Sequence, residues 1–160
     1  VHTSVEDVVN KAKAANVDQL LSVGVTLDPI ENMLEMISPF DNVKASCGVH
    51  PLDVESDFCL DRMREYASNP KVVAIGETGL DYHYQPETAE LQQLRFKQHV
   101  ALAVELNKPL IIHTRNARED TLSILRDGGA DKCGGVIHCF TEDQAFAEAA
   151  MELGLSLIHI

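Results

Sequence analysis

Three apolar runs in this chain, each typical of a buried β-strand, lead directly into a side chain that can bind a metal ion. The pairs are residues 71–76 followed by Glu77, residues 110–112 followed by His113, and residues 134–137 followed by His138. Parallel strands bring their C-terminal ends to one edge of a sheet, and barrel enzymes build their sites there. If the three runs are neighbouring parallel strands, the carboxylate and the two imidazoles converge at that edge.

Helix and strand patterns alternate along the whole chain, which predicts an α/β fold with a parallel sheet and helices packed outside it. We count about five complete strands and the start of another. The 160 residues are fewer than the roughly 250 that are typical of a closed eight-stranded βα barrel. The sequence therefore indicates either a smaller fold or part of such a barrel.

Both ends of the sequence suggest a truncated domain. The chain begins with a predicted helix and stops at residues 155–160, where another strand should begin. We interpret residues 1–154 as a single incomplete domain and residues 155–160 as a truncation or sequencing scar. His159 is left out of the predicted site for that reason.

Local patterns predict which polar residues lie outside the core. We expect residues 77–86, which are mostly polar and include Gly, Asp and Tyr, to form a loop. Asn116 and Thr141 are expected to cap the helices that follow the strands ending at His113 and His138. Two more histidines, His83 and His99, are expected to be exposed.

The composition constrains partners and location. The formal net charge of −12 argues against a broad basic surface for nucleic-acid phosphates, so a metal and a few local cations would have to hold any phosphate. No apolar run approaches the roughly 20 residues of a membrane span, and the N-terminus lacks a signal pattern. The cysteines contain no C-x-x-C pair, which favours reduced thiols. We expect a cytoplasmic protein with no membrane contact and no obligate protein partner.

The predicted cluster of Glu77, His113 and His138 suits a divalent metal ion. Imidazole nitrogen and carboxylate oxygen together are typical ligands of Zn²⁺ or Mn²⁺, and of Mg²⁺ where oxygen dominates. A bound ion can lower the pKa of its water from about 15.7 towards about 7. The resulting hydroxide is sufficient for hydrolysis of an ester or a phosphodiester.

Three further residues have two interpretations each. His50 ends another strand and is either a turn residue or a substrate contact or outer-shell partner of the site. Asp81 either stabilises a turn or orients a ligand or a water. Arg115 either holds a phosphate oxygen in a bidentate contact or forms a salt bridge with Glu119.

Four short motifs in this order resemble the TatD family of metal-dependent deoxyribonucleases. They are G-V-H-P (Gly48 to Pro51), G-E-T-G-L-D-Y (Gly76 to Tyr82), P-L-I-I-H-T-R-N-A-R-E (Pro109 to Glu119) and G-V-I-H-C-F (Gly135 to Phe140). The resemblance covers roughly residues 5–154. Four ordered motifs are far more specific than any one of them.

The resemblance implies a partial TIM-like barrel of the amidohydrolase type with a centre of two divalent ions (Mg²⁺, Mn²⁺ or Zn²⁺). Glu77 would be the catalytic residue that binds or bridges the ions, and His113 and His138 would bind one of them. The family removes nucleotides from DNA, with 3′ to 5′ exonuclease action in some members. The implied substrate is therefore the end of a DNA strand.

The chain also departs from the family pattern, and other functions stay open. The H-x-H strand and the late E-T-D motif of the family are absent, so the first and last strands are expected to be missing and the polypeptide alone is expected to be inactive. One alternative is an amidohydrolase-like metal enzyme acting on a small ester, lactone or amide. Another is an inactive fragment that acts only as an interaction surface through its open edge strands.

Overall fold

The computed structural model describes residues 4–158, in which six strands alternate with six α-helices. The strands are β1 (Leu20–Ser22), β2 (Val43–Cys47), β3 (Val72–Asp81), β4 (Leu110–Arg115), β5 (Gly135–Ile137) and β6 (Leu155–Leu157). The helices are α1 (Val5–Ala14), α2 (Ile30–Ile37), α3 (Leu60–Ala67), α4 (Ala89–Leu106), α5 (Arg118–Asp127) and α6 (Gln144–Glu152). No helix in this range is both long enough and apolar enough to cross a membrane.

All six strands are parallel, and each pairs with the next strand along the chain. A helix lies in every connection, as a crossover between parallel neighbours requires. This sequential order is that of an open part of a TIM-like barrel, so the predicted fold class is confirmed. The C-terminal ends of the strands share one edge of the sheet.

The longest helix, α4, anchors the two central strands. Phe96 and Val100 of this helix are completely buried in one core cluster with Ile75 of β3 and Ile112 of β4. Burial of these large apolar side chains is the main favourable contribution to folding. It holds β3 and β4 in fixed positions and therefore fixes the residues that follow Ile75 and Ile112.

Strand β3 continues past Gly76 to Asp81, so the prediction of a loop from residue 77 was wrong. Its polar half pairs in register with β4, with Gly79 opposite His113, and this pairing satisfies backbone groups that a loop would leave to solvent. Leu80 within the same run is fully buried. A polar composition was therefore compatible with a buried strand because the polar side chains have partners inside the protein.

The two predicted helix caps were also wrong by a few residues. Helix α6 is capped by Asp143, whose side chain accepts a hydrogen bond from the backbone N–H of Phe146, and Thr141 lies outside the helix. Asn116 has φ 54°, a left-handed conformation that asparagine tolerates, and it forms the turn between β4 and α5. The helix then begins after Ala117 with no side-chain cap.

Strand β6 occupies Leu155–Leu157, within the segment 155–160 that was interpreted from the sequence as a truncation or sequencing scar. These residues pair in parallel with β5. Leu155 is 4% exposed and packs in the core cluster. The last described strand thus extends the sheet in the same way as the five before it.

His99 is fully buried, and the expectation that it would be exposed was wrong; His83 is exposed as expected. The backbone N–H of Val49 donates to His99 Nε2 at 3.0 Å. His99 Nδ1 in turn donates to the carbonyl of Arg95 at 2.7 Å. The neutral ring, with one donor and one acceptor, satisfies both contacts and links α4 to the segment after β2.

Acidification should destabilise the metal-free protein through His99. Burial lowers the pKa of His99 from 6.5 to about 4, so between these values the unfolded chain binds more protons than the folded chain. Stability is therefore complete above about pH 6.5 and falls as the pH decreases, by about 1 kcal/mol between pH 6.5 and 5.5. Urea unfolding of wild type and His99→Gln in EDTA measures this, and an identical pH slope in both proteins would contradict it.

Candidate metal centre

Glu77 lies in the second half of β3, at the C-terminal edge of the sheet. Its backbone N–H donates to the carbonyl of Gly24 at 2.9 Å, which ties β3 to the segment after β1. The peptide bond between Gly76 and Glu77 is cis. The side chain is 11% exposed, so the carboxylate faces an enclosed space rather than bulk solvent.

Three imidazoles surround one oxygen of this carboxylate. Glu77 Oε1 lies 3.1 Å from His138 Nδ1, 3.6 Å from His113 Nδ1 and 4.0 Å from His50 Nε2. The rings of His50 and His113 are 4.6 Å apart between centroids. The structure thus brings together the three residues predicted as metal ligands and adds a fourth, His50.

Each histidine reaches Glu77 from a different strand end. His113 lies within β4, His138 directly follows β5 in a turn, and His50 follows β2. The G-V-H-P motif contained the signal for His50, because His50 also follows an apolar strand. Sequence alone left its role open, since a His-Pro pair is equally typical of a turn.

The carboxylate of Glu77 stays ionised in this environment. Burial alone would raise the pKa of Glu77, but the three neighbouring imidazoles outweigh burial and lower it below its usual value of 4.5. The pKa of His50 is lowered by burial and then by the charge of His113. A charged oxygen ligand and a neutral imidazole are the forms that bind a metal.

Asp81 fixes the orientation of His113. Its buried carboxylate accepts a hydrogen bond from His113 Nε2 at 2.9 Å through Oδ2. Its other oxygen accepts from the backbone N–H groups of His83 and Tyr84 at 3.0 and 2.9 Å. The buried Gln92 holds the Asp81 backbone from both sides, accepting from its N–H at 2.7 Å and donating to its carbonyl at 3.1 Å.

The Asp81 contact determines which nitrogen of His113 is free. Burial alone would raise the pKa of Asp81, but the hydrogen bonds from Tyr84 and His113 lower it below 3.8, so the ionised Oδ2 can only accept. Nε2 of His113 therefore carries a proton, and Nδ1 faces Glu77 with a lone pair available for a metal. In the metal-free chain the pKa of His113 is raised: burial lowers it, but the two carboxylates outweigh burial.

The donor set fits a divalent metal ion. One ligand atom each from His50, Glu77 and His113 lies within 4.8 Å of the others, close enough to surround a common ion. Two imidazole nitrogens and a carboxylate oxygen suit Zn²⁺ or Mn²⁺. His138, in contact with the same carboxylate, is a further nitrogen donor at the edge of this group.

A cavity of about 250 Å³ adjoins the cluster. It is lined by His113, Thr114, Arg115, His138, Cys139 and Thr141. Cys139 is half-buried in the turn after β5. The cavity provides space for part of a substrate directly beside two of the histidines.

Comparison with known proteins agrees with this architecture. Residues 1–157 match the family described as TatD related DNase. The chain is 47% identical over 154 residues to the uncharacterized metal-dependent hydrolase YcfH of Escherichia coli K12, covering 96% of this chain and 58% of that protein. It is 34% identical to the 3′-5′ ssDNA/RNA exonuclease TatD of Klebsiella pneumoniae, covering 94% of this chain and 58% of that protein.

A solved structure shows the same fold. The crystal structure of YjjV, a TatD homologue from E. coli, superposes with a TM-score of 0.87 at 24% identity and covers 95% of this chain and 60% of that chain. The chain thus spans about three fifths of the length of the relatives that it matches. Because the match to the family covers residues 1–157, the chain belongs to the TatD-related DNase family.

Proposed function

We propose that the chain contributes the metal site of a hydrolase that cleaves phosphodiester bonds at the end of a DNA strand. The observation that carries this proposal is the convergence of Glu77 with three imidazoles at the C-terminal strand ends. A carboxylate oxygen together with several imidazole nitrogens is a donor set typical of hydrolytic metal centres. Family membership supports the same reaction class.

In this proposal Glu77 is the catalytic residue and His113 and His138 are metal ligands, with His50 as an additional donor. A divalent ion held by these residues would supply an activated water and a Lewis acid for a phosphoryl oxygen. The ionised Glu77 would offer its two carboxylate oxygens as ligands to one or two ions. Asp81 keeps Nδ1 of His113 directed at Glu77, and the enclosed position of the cluster restricts access of bulk water.

Charge and the named relatives support a nucleic-acid strand end as the substrate. A chain with net charge −12 is poorly suited to bind the many phosphates along a duplex. Binding of a strand end needs contacts to only a few phosphates. The Klebsiella relative is named as a 3′-5′ exonuclease of single-stranded DNA and RNA. We therefore place the cleaved bond at the 3′ end of a single strand, in the cytoplasm.

A chimera tests this function. The 154-residue region of E. coli YcfH that matches this chain is replaced by the chain itself, so that the site is studied in a protein of the relative's length. With Mn²⁺ we expect release of mononucleotides from 3′-hydroxyl single-stranded DNA, and we expect Glu77→Gln in the chimera to abolish release. Removal of the metal with EDTA should have the same effect, with recovery when Mn²⁺ is restored.

Two other results would point to the alternative functions. Turnover of a small ester or lactone that depends on Glu77, without nucleotide release, would replace the nuclease proposal with the small-substrate hydrolase. Stoichiometric binding of a protein partner, without metal uptake by calorimetry, would favour a non-catalytic interaction surface. Nucleotide release that survives Glu77→Gln would contradict the assigned site.

A further inference from the structure

Arg115 lies on the same face of β4 as His113. Successive residues of a strand point to opposite faces, and the residue between them, Thr114, points towards the helices, where its hydroxyl lies 3.1 Å from that of Thr121 in α5. His113 and Arg115 therefore share the other face. Both line the cavity beside the cluster.

The positive charge of Arg115 is unpaired within residues 4–158. The alternative that the sequence left open, a salt bridge with Glu119, is not formed, and no other carboxylate in that range lies within 4.0 Å of the guanidinium. Arg62, Arg64 and Arg118 pair with carboxylates, whereas Arg95 and Arg126 share with Arg115 the lack of such a partner within the described residues. Arg115 differs from those two in lining the cavity beside the cluster. In a chain with 25 acidic residues, a cation without an acidic partner beside a candidate metal centre is available for an anionic ligand.

Tyr84 holds the guanidinium in place. The Arg115 guanidinium carbon lies 4.7 Å from the centre of the Tyr84 ring, and Nη1 donates to the Tyr84 hydroxyl at 3.2 Å. The backbone N–H of Tyr84 donates to Asp81 Oδ1. Asp81, which orients His113 with its other oxygen, thus also anchors the residue against which Arg115 stacks, so the cation and the metal ligand are positioned by one carboxylate.

We infer that Arg115 binds a phosphate group of the substrate in the cavity beside His113 and His138. The inference rests on the proposed function and specifies how that site holds its substrate. A guanidinium can donate two parallel hydrogen bonds to one phosphate group. Tyr84 leaves part of the guanidinium free and reduces the side-chain entropy lost on binding.

The test measures the affinity of the 160-residue chain for a phosphorothioate-linked oligothymidylate, which resists cleavage, in Mn²⁺ and over a series of salt concentrations. We expect Arg115→Ala to weaken binding about 10-fold. The slope of log K against log salt should fall by about 0.7, the value for one phosphate contact on a single strand. Arg115→Lys, which keeps the charge but loses the planar fork, should fall between wild type and Arg115→Ala.

Arg126→Ala is the matched control, because Arg126 is exposed in the last turn of α5, the end of that helix away from β4. This variant should bind the oligonucleotide as wild type does. Binding and salt slope that are the same in Arg115→Ala as in wild type, with both proteins equally folded by circular dichroism, would overturn the inference and leave the proposed function standing. If the proposed function itself is wrong, the wild-type chain will not bind the oligonucleotide. That result would overturn the proposed function and the inference together.

Discussion

Replacing Glu77 with glutamine should lower the affinity of the chain for Zn²⁺ or Mn²⁺ by at least about 100-fold. Residues that only support a metal ligand typically contribute 10- to 100-fold, and a direct ligand should equal or exceed that range. Glutamine keeps the size of the side chain but removes the charge at the point that three imidazoles face. Titration calorimetry on the 160-residue chain measures the loss.

Glu31→Gln is the control for the Glu77 experiment. Glu31 is exposed on α2, and its replacement changes the net charge equally, so a general electrostatic effect on cations would appear in both variants. Urea unfolding in EDTA establishes that each variant is folded. Equal metal affinity in wild type and Glu77→Gln would exclude Glu77 as a ligand.

Replacing Asp81 with asparagine should move the proton of the neutral His113 from Nε2 to Nδ1. The backbone N–H groups of His83 and Tyr84 still require an acceptor, so the amide oxygen stays with them and the NH₂ group faces His113. Nε2 must then accept, and the lone pair on Nδ1 that a metal needs is lost. We expect the affinity for Zn²⁺ to fall by about 10- to 100-fold.

Nitrogen-15 chemical shifts of the His113 ring, recorded at alkaline pH without metal, report the tautomer directly. Asp120→Asn is the matched control, because Asp120 accepts hydrogen bonds from Tyr82 and Gln93 nearby but contacts none of the site histidines. An unchanged tautomer in Asp81→Asn would refute the orienting role of Asp81. A merely structural role would lower stability without moving this proton.

The sequence predicted those features that depend on local pattern. Apolar runs that lead into Glu77, His113 and His138 are visible without tertiary information, and parallel pairing then places them at one edge. His50 carried the same signal in weaker form. The predicted fold class and family were confirmed because helix and strand periods and motif order are also properties of the linear chain.

The features that the sequence did not predict depend on contacts between distant segments. Asp81 is buried rather than in a loop because Gln92 and His113 satisfy it. His99 is buried because Val49, fifty residues away, supplies a donor to its ring. Polar residues look exposed in a linear pattern, and only the folded arrangement shows that their hydrogen bonds are made inside the protein.

The most direct measurement is a zinc anomalous difference map from crystals of the chain grown with Zn²⁺. The account predicts a peak about 2.0–2.2 Å from both a carboxylate oxygen of Glu77 and Nδ1 of His113, the usual length of zinc bonds to oxygen and nitrogen. A zinc-bound chain whose anomalous peak lies away from Glu77 and His113 would contradict the account.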